Sequence, residues 1–81
     1  MADKEDVAKR VIALVAERMD VDEAQITRET HFVNDLQSDS LDMAELVIDL
    51  EEEFDLDISD EDAQQIETVG QAIDHIAEQA Q

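Results

Sequence analysis

Ser40 is the residue best placed to carry a covalent group, because it follows Asp39 at the predicted start of a helix. Asp39 is a good N-cap, and the negative charge of Asp42 is favoured in the first turn. A phosphate ester on Ser40 would lie beside unpaired backbone N–H groups and the positive end of the helix dipole. Serine is also common at helix starts for ordinary reasons. Position alone therefore favours the ordinary explanation, and the modification of Ser40 needs further support.

Other groups that could do chemistry are few. The chain has no cysteine, and no glycine-rich phosphate-binding loop is present. His31 falls in a predicted loop and His75 on the last predicted helix, and neither has an evident nucleophile as partner. We interpret both as surface histidines, and nearly all carboxylates fall on polar faces. The sequence predicts a protein that is not an enzyme.

A calcium loop of the EF-hand type is the first alternative. Asp55, Asp57 and Ser59 alternate like the opening of such a loop. The sixth position is Asp60 instead of glycine, and the twelfth is Ile66 instead of glutamate. An EF-hand is therefore rejected, and no metal site is expected.

The charge is extreme for a chain of 81 residues: five basic against 24 acidic side chains give a net charge of −19. Such a surface repels nucleic acid and anionic membranes and favours a monomer. Partners should present basic patches, and their encounter with the chain should depend on salt. The acidity is equally well explained as a source of solubility alone.

The length predicts one domain over residues 1–81. The composition predicts that this domain is rich in helix, since there is no proline and only one glycine, Gly70. The polar, acidic N-terminus resembles neither a secretory signal nor a transit peptide, and no apolar run reaches membrane-spanning length. We therefore expect a cytoplasmic protein without membrane insertion.

The apolar spacing predicts an all-α, four-helix bundle with three longer helices and one short helix. The expected helices are Lys4–Met19, Asp39 or Ser40 to Phe54, Asp60–Gln65 and Val69–Glu78. Between the first two lies a long loop, a feature that is often functional in a small domain. Its isolated apolar residues are expected to hold it on the core: Val21, Ile26, Phe32, Val33 and Leu36.

The second helix is apolar on two sides. Its core stripe follows steps of three and four residues: Met43, Leu46, Val47, Leu50 and Phe54. The opposite side, here named the docking face, carries Leu41, Ala44 and Ile48, with Glu45, Asp49 and Glu52 around them. Scattered exposed apolar residues are common. A continuous stripe ringed by carboxylates favours a surface that binds a partner, with apolar affinity and charge-guided orientation.

The stretch around Ser40 resembles the acyl carrier protein family, whose mark is Asp-Ser-Leu after a loop and before an acidic amphipathic helix. The matching residues are Asp35-Leu36-Gln37-Ser38-Asp39-Ser40-Leu41-Asp42, then Glu45-Leu46-Val47 and Leu50-Glu51-Glu52-Glu53-Phe54. Phe32–Leu36 is similar to the family's lead-in, and Thr68–Ile76 to its last helix. The resemblance spans about Val7 to Ile76.

The resemblance implies that a separate transferase attaches 4′-phosphopantetheine from coenzyme A to Ser40, with Asp39 helping to hold the transferase's magnesium. The arm's thiol then carries acyl intermediates as thioesters for fatty acid or related biosynthesis, and the carrier catalyses nothing. Synthases, reductases and acyltransferases with basic patches would bind the docking face. The residues expected to shelter the acyl chain are Met43, Leu46, Val47, Leu50, Phe54, Ile58 and Ile66.

The chain departs from the family pattern at Gln37 and Ser38, where a glycine and a small residue are common. The loss of glycine is expected to affect the backbone of the loop. Ser38 also provides a second hydroxyl close to Ser40. Asp20 stands where a glycine is frequent.

Two alternatives to an acyl carrier remain open. A peptidyl or aminoacyl carrier would use the same arm but load an amino acid. An acidic helical interaction module would share the charge and the docking face, without a prosthetic group and without any need for an exposed Ser40.

Overall fold

Four helices and one short 3₁₀ turn make up the structure, a computed structural model that describes residues 4–79. The helices are α1 (Lys4–Met19), α2 (Ser40–Phe54), α3 (Asp60–Gln65) and α4 (Val69–Gln79), and the turn spans Glu23–Gln25. The predicted all-α fold, with three longer helices and one short helix, is confirmed. No helix within residues 4–79 is long and apolar enough to cross a membrane.

The core forms where the apolar sides of α1, α2 and α4 meet. Residues spaced three or four apart lie on one side of a helix, so each helix buries a single stripe. The loop and the α3 region close the remaining sides. The buried apolar residues on the three longer helices are Val7, Val11, Val15, Ala16, Leu46, Leu50, Val69, Ala72, Ile73 and Ile76.

The long loop is held on the core by fewer residues than expected. Phe32 has no solvent-exposed surface and Ile26 is buried, whereas Val33 is 54% exposed. The prediction that Val33 contacts the core was wrong. Phe32 takes the inward position, where its backbone N–H donates to the Glu67 carbonyl over 3.0 Å, and the chain turns outward directly after it.

The loop also caps α4. The first N–H groups of a helix have no partner within the helix, and here the N–H groups of Val69 and Gly70 donate to the carbonyls of Thr30 (3.0 Å) and Arg28 (2.9 Å). A Cβ on Gly70 would lie 2.9 Å from the Arg28 carbonyl oxygen. The single glycine of the chain therefore permits the close approach between the loop and α4.

Three non-glycine residues have left-handed backbone conformations: Asp20 (φ 59°), Gln37 (φ 56°) and Asp55 (φ 52°). Two of them, Asp20 and Gln37, stand where glycine is common in the family that the sequence resembles. Aspartate tolerates this conformation better than glutamine, because its short side chain can bond to the local backbone. Gln37 therefore stores backbone strain three residues before Ser40.

We expect Gln37→Gly to stabilise the fold by about 0.5–1 kcal/mol, since the relief of strain exceeds the added entropy of the unfolded chain. Urea denaturation followed by circular dichroism measures the change. Gln25 is the matched control, since it is exposed and lacks a positive φ. Gln25→Gly should destabilise, and an equal loss in both variants would contradict strain at Gln37.

Basic residues are scarce, and within residues 4–79 four of the five pair with carboxylates on other elements. Arg10 of α1 pairs with Glu53 of α2 over 2.7 Å and lies over the Phe54 ring, 4.5 Å from its centroid. Exposed pairs contribute at most about 1 kcal/mol each. Their clearer effect is to place cations between helices of a chain that otherwise repels itself.

Asp74 of α4 joins α1 and the loop, because Lys4 and Arg28 both reach one of its oxygens at 2.8 Å. The hydrogen bond from Lys4, followed by that from Arg28, lowers the pKa of Asp74. Because the pKa of Asp74 is lower in the folded state, the bonds from Lys4 and Arg28 stabilise the fold at pH values above the usual carboxyl pKa. This stabilisation is lost as the pH falls through the lowered pKa.

Candidate functional site

Ser40 is the first residue of α2, and its side chain is exposed. The helix start is fixed without it: the Asp42 N–H donates to Asp39 Oδ1 over 2.8 Å, and the Asp39 N–H donates to Asp42 Oδ2 over 3.2 Å. The expected N-cap at Asp39 is confirmed, and Asp42 completes a capping box that the sequence analysis did not anticipate. Within residues 4–79 the Ser40 hydroxyl has no hydrogen-bond partner, so it is not used as a cap.

Ser38, the second hydroxyl near this position, is in a different environment. The residue is only 5% exposed, and its Oγ donates to the Met19 sulfur over 3.3 Å. Its N–H donates to the Phe32 carbonyl over 3.0 Å. Ser38 therefore joins the loop to the end of α1, and its hydroxyl does not face solvent.

An open groove of about 960 Å³ extends from Ser40 between α2, α3 and the loop. This volume is in the range of pockets that hold small molecules. Four of the residues expected to shelter an acyl chain line it: Met43, Val47, Ile58 and Ile66. Sequence reasoning missed several further lining residues, among them His31, Phe32, Val33, Ala63 and Gln64.

The other three expected pocket residues lie outside the groove. Leu46 and Leu50 are buried in the core, and Phe54 lies under the Arg10 guanidinium. All three belong to the core stripe of α2, which is wide enough to face both the groove and the core. Its α3 side contributes to the groove, and the rest packs toward α1 and α4.

Both histidines have structural contacts. His31 Nδ1 accepts a hydrogen bond from the Asn34 N–H over 3.2 Å, which supports the loop beside the groove. His75 bonds to the Gln79 amide over 2.8 Å, and its Nε2 lies 3.7 Å from an Asp62 oxygen on α3. The interpretation as surface histidines was wrong in part, since both residues are half-buried.

The apolar residues of the docking face are exposed. Leu41 is 66% and Ile48 is 53% exposed, and Ala44 and Glu52 are exposed as well. A helix that only completed a core would not need large apolar side chains on this side. The structure thus leaves the apolar stripe of the docking face open to solvent.

Two carboxylates of the docking face are held by a cation of the chain itself. Arg18 of α1 donates to Glu45 Oε2 over 2.9 Å and, through Nε, to Asp49 Oδ2 over 2.8 Å. A second guanidinium nitrogen also donates to Asp49. The hydrogen bond with Asp49 raises the pKa of Arg18 above its usual value. No pattern in the sequence indicates these contacts.

The geometry fits a flexible prosthetic group joined through a hydroxyl. An exposed serine, without a hydrogen-bond partner in the part of the chain that the structure describes, stands on a fixed helix start beside a groove whose lining is largely apolar. The attached group has room to leave the surface, and the open groove offers it apolar surface within reach.

Comparisons with known proteins agree with this geometry. A sequence model of the family described as "Phosphopantetheine attachment site" matches residues 9–76. Among solved structures, the acyl carrier protein from Enterococcus faecalis superposes with a TM-score of 0.82 at 39% sequence identity, covering 95% of this chain and 98% of that one. Matches of this length and identity extend beyond the fold alone. The chain belongs to the acyl carrier protein family, and its prosthetic group is 4′-phosphopantetheine.

Proposed function

We propose that Ser40 carries the 4′-phosphopantetheine of this acyl carrier protein. The observation that supports the assignment is the contrast between two neighbouring hydroxyls. The Ser40 hydroxyl is exposed and unbonded within the described residues, and the Ser38 hydroxyl is buried against Met19. The terminal thiol of the bound arm supplies the thioester linkage to the acyl group.

Asp39 is proposed to contribute to the magnesium site of the transferase that loads Ser40. Its Oδ1 accepts the N–H of Asp42 in the capping box. Its Oδ2 has no hydrogen-bond partner among residues 4–79, and the side chain is exposed. One carboxylate can therefore fix the helix start and offer an oxygen to a hard cation in the same geometry.

The groove is proposed to shelter the acyl chain, with Met43, Val47, Ile58, Ala63 and Ile66 among its apolar lining residues. These side chains surround a space that begins at Ser40, so a cargo can enter without opening the packed core. Burial of apolar surface would favour entry by roughly 25 cal/mol per Å². The core residues Leu46 and Leu50 would stay in place.

Members of the family generally interact with a phosphopantetheinyl transferase and with biosynthetic enzymes, and they are generally not catalytic. For this chain we propose a cytoplasmic monomer without catalytic activity, serving fatty acid synthesis or a related specialised pathway. Synthases, reductases and acyltransferases with basic patches are the proposed partners. The net charge of −19 and the exposed docking face support partners of that charge.

The attachment residue can be tested by intact-protein mass spectrometry. The chain is incubated with coenzyme A, magnesium and a broad-specificity phosphopantetheinyl transferase, and the product is digested and mapped. We expect one added phosphopantetheine on the peptide that contains Ser40, fragmented so that Ser38 and Ser40 are distinguished. Attachment at Ser38, or none while a control carrier is loaded, would contradict the assignment.

We expect Ile48→Arg to weaken docking at least about tenfold, because it replaces an apolar contact with a charge that a basic partner repels. KM for the transferase at low salt is the measurement. The substitution should not unfold the chain, since Ile48 is 53% exposed. Ala13→Arg is the control, because Ala13 is exposed on α1 and receives the same charge. Equal effects of the two substitutions would show that only net charge matters.

A further inference from the structure

We propose that Arg18 competes with the chain's partners for the docking face and thereby determines which partners bind well. A partner that places an arginine or lysine against Glu45 and Asp49 must first displace Arg18. This inference rests on the proposed function of the docking face, and it adds a residue on a different helix that sets the face's specificity.

The contact occupies both carboxylates, so a basic side chain of a partner would have to replace the hydrogen bonds that Arg18 makes with them. Glu45 and Asp49 lie one turn apart on α2, and the Arg18 guanidinium spans them with Nη1 on Glu45 and Nε on Asp49. A planar guanidinium has the fork geometry that suits such carboxylates. The side chains of Arg18, Glu45 and Asp49 are 33%, 45% and 25% exposed, so salt screens the contact in part.

The effect on the docking face is uneven. Arg18 pairs with both Glu45 and Asp49 and offsets one of their two negative charges, whereas Glu52, one turn further along α2, has no ion pair among residues 4–79. Favoured partners therefore make apolar contacts with Leu41 and Ile48 and direct a basic side chain to Glu52. Partners that depend on Glu45 and Asp49 are disfavoured, because each new ion pair breaks an existing one.

Arg10 provides a matched control for Arg18. It lies on the same helix, eight residues earlier, and also pairs with a carboxylate of α2. Its partner Glu53 is outside the docking face, and its guanidinium lies over Phe54. Arg10→Gln and Arg18→Gln each remove one positive charge and one link between α1 and α2. Only Arg18→Gln frees carboxylates of the docking face.

The direct test is an NMR titration of the full chain with an arginine-containing amphipathic helical peptide at low salt. We expect Arg18→Gln to bind it about three- to tenfold more tightly than Arg10→Gln, with the largest shift changes at Glu45 and Asp49. Arg18→Lys, which keeps the charge but loses the fork, should fall between wild type and Arg18→Gln. Equal affinities of the two Gln variants, or shift changes away from α2, would overturn the proposal.

Transferase kinetics separate this inference from the attachment site. If the transferase docks through Glu45 and Asp49, Arg18→Gln should lower KM relative to Arg10→Gln and leave kcat unchanged. Because peptide binding does not need Ser40 to be loaded, a tighter Arg18→Gln complex supports competition even if Ser40 proves not to be the attachment residue. A change in kcat alone, with equal peptide affinities, would overturn competition between Arg18 and the partner.

Discussion

Ser40→Ala should take up no phosphopantetheine under conditions in which the wild-type chain is fully loaded. The substitution removes the only oxygen that we propose as the acceptor, so the expected loss is complete within the detection limit of intact-mass analysis. The fold should be retained, because the Ser40 side chain is exposed and the capping box is formed by Asp39 and Asp42. Circular dichroism and urea denaturation check this second part.

Ser38→Ala is the control for that experiment, and it should lower the stability of the fold while leaving the loading intact. Loss of its contact with the Met19 sulfur and of a nearly buried hydroxyl should cost about 1 kcal/mol of stability. Loading should continue at Ser40. A Ser40→Ala chain that still gains the mass of one phosphopantetheine, mapped to Ser38, would refute the proposed attachment site.

Phe32→Ala should cost about 3–5 kcal/mol, the usual range for removing a fully buried aromatic ring. Phe32 has no exposed surface, and its backbone bonds to both Glu67 and Ser38. A domain of this length has little stability to lose, and a net charge of −19 reduces it further at low salt. We therefore expect the variant to be largely unfolded at low ionic strength and to regain structure as salt is added.

The neighbouring residue supplies the control for this loss. Val33 is 54% exposed, so Val33→Ala should change the free energy of unfolding by no more than about 0.5 kcal/mol. Urea denaturation of both variants at several salt concentrations makes the comparison. Similar denaturation midpoints for the two would mean that the loop does not contribute to the core through Phe32.

The helices follow from the sequence because their signals are local. Apolar residues at steps of three and four determine which side of each helix is buried, and Asp39 marks the start of α2 through its own side chain. The exposed stripe with Leu41 and Ile48 follows from the same periodicity. The position of Ser40 at a helix start also follows from local signals. Its modification is inferred from the resemblance to a family, and it stays a proposal.

The loop and the groove depend on contacts between distant residues, and no local pattern encodes them. Phe32 and Val33 are adjacent apolar residues, yet Phe32 is buried and Val33 is exposed, and the Phe32 backbone bonds to the distant residue Glu67. Within the core stripe of α2, Val47 lines the groove and Leu46 does not, because different elements pack on either side. Helical periodicity locates that stripe and cannot divide it between two environments.

Arg18 is the clearest case of a feature beyond sequence reasoning. Its partners Glu45 and Asp49 are 27 and 31 residues away along the chain. With 24 acidic residues available, nothing in the sequence indicates which carboxylates a given arginine will contact. The pairing depends on how α1 is oriented against α2, which the side-chain volumes of the core decide.

The hydrogen bonds from Val69 and Gly70 to the loop carbonyls have a consequence for the order in which the chain acquires structure during synthesis. They close a segment that runs from Arg28 to Gly70, and such closure must offset the entropy of the chain between its ends. While a ribosome still holds the α4 segment, the loop carbonyls have no donors from α4. The segment before Ser40 therefore reaches its final shape only once α4 has left the ribosome, so a transferase that reads this shape would act after that point in synthesis.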